Sequence, residues 1–95
     1  MTADEAPHTL KDEQQSLEIR KRLSRAHGQL GAVVRMLDEG SSCEDIVTQI
    51  AAVSKAVNAA AFTLISTSLK ECLVDNDVDS GPASEKFQKL FLSLA

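Results

Sequence analysis

Two side chains in this 95-residue chain have types and spacing suited to chemistry: Cys43 and Cys72, twenty-nine residues apart. A cysteine thiolate is both a nucleophile and a soft metal ligand. The stretch between them reads as one continuous helix, along which twenty-nine steps of about 1.5 Å separate the thiols by roughly 43 Å. At that distance they can share neither a metal nor a disulfide within one chain. If they act together, a second copy must lie antiparallel and bring its Cys72 to this copy's Cys43. The expectation is an oligomer with paired intersubunit thiol sites.

Cys43 falls at the predicted start of that helix, where the dipole favours a thiolate. Ser41 or Ser42 suits the N-cap, and Glu44 and Asp45 suit the first turn. The competing view of either cysteine is a small buried apolar residue, and it weighs more for Cys72 than for Cys43.

A second feature is electrostatic. The net charge is −4, yet Arg20 to Arg35 holds five basic residues and no acid. Arg20, Lys21, Arg22 and Arg25 form the dense part, with Lys55 as a candidate addition from the following helix. A local basic patch can bind nucleic acid even on an acidic chain, because the local field governs the encounter. The alternative is an ordinary solvated helix face.

The elements that must position these residues are helices. There is no Trp or Tyr, and Ala, Leu, Val, Ser, Lys and Glu are abundant, so the chain is expected to be all-α. Residues 1–15 are polar and expected to form a disordered tail, leaving residues 16–95 as one domain. A first helix is expected from Ser16 to Glu39, on the stripe Ile19, Leu23, Ala26, Leu30, Val33, Val34, Leu37. Gly28 and Gly31 inside it suggest close helix packing, and Gly40 suits its C-terminal stop. A second helix is expected from Cys43 to Val74. It carries the stripe Ile46, Ile50, Val53, Val57, Ala60, Leu64 and a neighbouring one through Val47, Ala51, Ala61, Ile65, Leu69 and Cys72. That is more apolar surface than one partner helix covers, so other subunits are expected to cover the rest. A polar turn over Asp75 to Pro82 precedes a short third helix, capped by Ser80 and carrying Phe87, Leu90, Phe91 and Leu94 on one face. There is no secretory h-region and no apolar run long enough to span a bilayer, so a cytoplasmic protein without membrane contact is expected. No acid–base pair or cofactor motif suggests an enzyme.

Four segments carry a family resemblance. They are Arg22-Leu23-Ser24-Arg25-Ala26-His27-Gly28-Gln29-Leu30; Val34 to Gly40; the pattern of Cys43, Asp45, Gln49, Ile50, Ala52 and Val53; and Leu69-Lys70-Glu71-Cys72. Together they resemble the copper- and nickel-sensing repressors (CsoR/RcnR), over roughly residues 16 to 94. The resemblance implies a three-helix protomer, an antiparallel helical-bundle dimer, and a dimer-of-dimers tetramer that binds operator DNA and is released by an inducer at an intersubunit site. It implies that Arg22 contacts DNA, with Arg20, Lys21, Arg25 and Lys55 extending the patch. The arginine common in the family on the middle helix is Ala59 here, which puts operator affinity or choice in doubt.

Copper sensors of the family bind through a Cys from one chain and a His and a Cys from the other. Cys43 and Cys72 match the two thiols, but the histidine position, one turn before Cys72, is Ser68. His8 and His27 match no family ligand position. The chain is most similar to the persulfide-sensing, CstR-like branch, which keeps two cysteines without the histidine. That branch implies attack of Cys43 on a persulfide or polysulfide and crosslinking to Cys72 of the partner, with no cofactor required. The alternatives are a Cu(I)-responsive repressor using the same cysteines, and a structural helical assembly with no DNA role.

Overall fold

The computed structural model describes residues 8–75 and 80–94. They form three α-helices, α1 Glu13–Asp38, α2 Cys43–Asp75 and α3 Ser80–Leu94, with no strand among the described residues. The all-α expectation holds. The expected tail therefore lies outside the described residues over 1–7, and the expected turn over 76–79.

α1 begins three residues before the expected start because Asp12 is its N-cap. The Gln15 amide donates to Asp12 Oδ1 at 3.0 Å, and Glu13 adds negative charge to the first turn. The helix ends in a Schellman turn. Gly40 sits at φ 73°, the Ser41 amide donates to the Met36 carbonyl at 2.9 Å, and the Gly40 amide donates to the Leu37 carbonyl at 3.2 Å. Any side chain at position 40 would be strained in that left-handed conformation. The next cap follows immediately: Ser42 Oγ accepts from the Asp45 amide at 3.2 Å and opens α2 at Cys43. Two caps separated by a single residue force α1 and α2 into a tight antiparallel hairpin.

The expected apolar stripes divide in two. On α1, Ile19, Ala26 and Val33 are buried. On α2, Ile46, Val53 and Ala60 are buried. Both sets recur every seven residues, so the hairpin is zipped along one heptad line per helix. Four residues beyond each buried position lies a second line: Leu23, Leu30 and Leu37 on α1, and Ile50, Val57 and Leu64 on α2. All six remain substantially exposed, Leu30 at 50% and Ile50 at 48%. The hairpin thus leaves one apolar line of each helix largely uncovered.

α3 folds back along the C-terminal part of α2, with the Phe62 and Phe91 rings 5.0 Å apart. Neither glycine inside α1 is required by a close approach within the protomer. A Cβ at Gly28 would meet nothing within 4 Å, and one at Gly31 would meet only the end of Arg35 at 3.7 Å.

By length and composition α2 is apolar enough over Cys43–Val74 to cross a bilayer, contrary to the reading that no run is long enough. That reading required an unbroken apolar run, and Ser54, Lys55 and Asn58 break this one. The apolar residues of α2 instead follow the heptad lines of a bundle helix.

Candidate sensor and nucleic-acid-binding surfaces

The two thiols occupy opposite ends of α2 and unlike environments. Cys43 is the first residue of the helix and exposed. Cys72 is buried at 7% exposure. The length of α2 between them forbids an intrachain bond, as the spacing implied. Ser68, one turn before Cys72, is buried at 4% exposure and lies on the same stripe as Ile65 and Cys72. Among the described residues no three His, Cys, Asp or Glu side chains come together as a metal-binding group.

The feature that local sequence reasoning missed is beside Cys72. Residues 8–12 lie against the last turns of α2 and are held by Glu71. Its Oε1 accepts from the Lys11 amide at 2.9 Å, its Oε2 accepts from the Asp12 amide at 2.8 Å, and His8 Nε2 lies 3.0 Å from Oε1. These amides belong to the N-cap residue of α1 and the residue before it, next to the positive end of that helix. The Lys11 amide foremost holds the Glu71 carboxyl below its ordinary value, against the opposing effect of desolvation and with the Asp12 amide and His8 assisting. The His8 ring also meets Phe87 of α3 edge-on, with centroids 6.1 Å apart. No short-range pattern signals contacts that span about sixty residues of chain. The only sequence hint is that Glu71 adjoins a candidate thiol.

The basic residues of α1 are displayed as a group. Arg20, Lys21, Arg22 and Arg25 are all exposed. At about 100° per residue Arg20, Lys21 and Arg25 lie on the half of α1 turned away from the Ile19–Ala26–Val33 line, and Arg22 flanks that line about 40° to one side. A shallow groove of about 590 Å³ borders the patch, lined by Arg20, Leu23 and His27 of α1 and Leu64 of α2. Lys55 is exposed as well, but lies roughly 160° round α2 from the line that meets α1. Within the protomer it is not brought together with the other four. His27 is exposed and remote from both thiols; Ala59, half-buried, offers the α2 surface no charge.

Comparison with known proteins places this architecture. Residues 15–93 match the family described as metal-sensitive transcriptional repressor. The chain is 35% identical over 72 residues to the copper-sensing transcriptional repressor RicR of Mycobacterium tuberculosis, covering 76% of this chain and 75% of that one. It is 37% identical over 67 residues to the transcriptional repressor RcnR of Escherichia coli K12, covering 70% of this chain and 71% of that one. The same values relate it to RcnR of Citrobacter koseri. No solved structure matches significantly. Members of this family are transcriptional repressors, not enzymes. A match over nearly the whole described chain, carried by a helical hairpin with a basic outer face, makes this protein a member of the CsoR/RcnR-type family of metal-sensitive transcriptional repressors.

Proposed function

We propose that this chain is a cytoplasmic, operator-binding repressor, assembled as a dimer of antiparallel dimers, whose inducer joins Cys43 of one protomer to Cys72 of another. The observation that carries this reading is the division of α2. It has an exposed thiol at one end, a buried thiol at the other, and an uncovered heptad line of Ile50, Val57 and Leu64 between them. An antiparallel partner seated on that line and on Leu23, Leu30 and Leu37 brings unlike ends of α2 together. The outward basic face of α1, with Lys21 and Arg25 in its middle and Arg20 and Arg22 at its two edges, supplies phosphate contacts, repeated in each protomer. Lys55 joins the binding surface only from another part of the assembly.

The inducer in this reading is a persulfide or polysulfide. The Cys43 thiolate attacks the sulfane sulfur of a persulfide RSSH, forming Cys43–SSH and releasing RSH. The Cys72 thiolate of the partner then attacks the Cys43 sulfur and expels hydrosulfide, leaving a Cys43–Cys72 disulfide. The two thiols are oxidised, and the persulfide is reduced to RSH and hydrosulfide. The donor set supports this choice, because two thiolates with a serine hydroxyl suffice for a crosslink.

A second reading is favoured by the likeness to a repressor named copper-sensing. Cu(I) is soft and binds thiolates well. Cys43 and Cys72 would hold it in two-coordinate fashion, since the Ser68 hydroxyl is a poor third donor.

Fluorescence anisotropy on promoter DNA from upstream of the chain's own gene tests both. The reduced protein binds with strong salt dependence, and a persulfide donor releases it. Cys43→Ser and Cys72→Ser each bind equally well but are not released. Release by Cu(I) alone moves the assignment to copper. Absence of salt-dependent DNA binding leaves only the structural-assembly reading.

A further inference from the structure

We propose that His8 is a clasp that closes over Cys72 in the resting protomer, so that Cys72 becomes reactive only when residues 8–12 lift from Glu71. The inference rests on the sensor reading above and concerns the regulation of the same site.

The geometry comes from the order of residues round the last turns of α2. At about 100° per residue, Glu71 lies roughly 100° to one side of Cys72 and Leu69 about 60° to the other. The Glu71 side is walled by the N-terminal segment, through the bonds to His8, Lys11 and Asp12. The Leu69 side is walled by α3, since Leu69 shares an apolar cavity with Phe91 and Leu92. Cys72 therefore lies in the furrow between the two walls. His8 touches both, at 3.0 Å from Glu71 and edge-on to Phe87. Its own side chain is only 17% exposed and that of Glu71 only 14%. A side chain that bridges the two rims of a furrow covers what lies at its base.

The covering is local and reversible. Two hydrogen bonds from backbone amides, one ring–carboxylate contact and one edge-on ring pair contribute to it. Such small sets open independently of the global fold. Cys43 has no comparable cover. The two thiols should then react in a fixed order, with Cys43 taking the sulfur first and Cys72 resolving it after the clasp opens.

The test is the rate of alkylation of each cysteine by iodoacetamide, read by peptide mass spectrometry on the reduced, assembled protein. The wild type, His8→Ala and Glu71→Gln are compared, with helix content followed by circular dichroism. In the wild type Cys72 should react at least about tenfold more slowly than Cys43, as expected for reaction through a minor open state. His8→Ala and Glu71→Gln should each raise the Cys72 rate at least about fivefold by populating that open state, and leave the Cys43 rate within about twofold. An unchanged Cys72 rate in His8→Ala with native helix content overturns the clasp. If Glu71→Gln loses helix content, His8→Ala alone decides, because it removes only the ring. The alkylation readout needs neither DNA nor persulfide. A failure of the clasp is thus distinct from a failure of the sensor reading, which would appear as wild-type protein that persulfide does not release from DNA.

Discussion

Cys43 and Cys72 are the same residue type on the same helix, and the fold gives them opposite availabilities. The difference has a simple origin at the Cys43 end, where a first-turn residue next to a loop has little to cover it. At the Cys72 end the thiol is buried, and its neighbour Glu71 is held by residues 8–12, about sixty positions away in sequence. The sequence identified both thiols and Ser68 and favoured burial for Cys72 over Cys43, as the structure has it, without showing what covers Cys72. His8 reads as a tail residue for the same reason, since its partner Glu71 lies 63 residues away. Glu71 gives a pH prediction. Its folded-state value is lowered from the ordinary 4.5 by the Lys11 amide first, with the Asp12 amide and His8 assisting. A lowered carboxyl contributes stability that is fully present above its unfolded value and is lost as pH falls through the folded one. Protection of the Lys11 and Asp12 amides, followed by hydrogen exchange corrected for intrinsic rates, should hold at neutral pH and fall on acidification below about 4.5. The Glu71→Gln variant should lack that acid step. The same midpoint in both proteins would remove Glu71 as the group responsible.

At the scale of elements, the helices were legible because their apolar residues repeat with helical period and their stops are chemically explicit. Gly40 takes the left-handed turn and Ser42 caps α2, both from residues a sequence reading selects. The start of α1 was less legible: Asp12 caps it, but Pro7 and a run of polar residues before Ser16 mask the signal. Periodicity also could not say which apolar line meets the neighbouring helix of the same chain. That follows from the hairpin, whose heptad line of Ile19, Ala26 and Val33 meets Ile46, Val53 and Ala60 and leaves the adjoining line uncovered. Ile50→Lys tests the use of that second line. Ile50 is half exposed in the protomer, so a lysine there costs the hairpin little, whereas a lysine buried between chains without a partner is strongly unfavourable. Sedimentation should show the variant shifted to smaller species with its helix content retained. An unshifted assembly would place the interface elsewhere.

At the scale of the molecule, the protomer is an elongated hairpin of 56 × 25 × 21 Å with a thiol at each end of its longest helix. A small chain with this shape leaves much of its apolar surface in water, and association is the physical remedy. The basic half of α1 faces outward from the hairpin, so an assembly formed through the uncovered line leaves that charge available to DNA. The comparisons extend this reading to repression, a function that composition and periodicity alone do not reach. They bear on metal sensing through relatives that are named for it, while Ser68 sets this chain's donor set apart from a three-ligand site. The central claim is that Cys43 of one protomer and Cys72 of another form one inducible site. Intact-mass spectrometry of the reduced protein, treated in separate tubes with a persulfide donor and with Cu(I), tests it most directly. A covalent dimer is expected in the persulfide tube, with peptide mapping that joins Cys43 to Cys72 across chains, and no crosslink in either cysteine-to-serine variant. Persulfide-treated protein that stays monomeric in mass, beside stoichiometric Cu(I) uptake without a crosslink, would contradict it and assign the two thiols to copper.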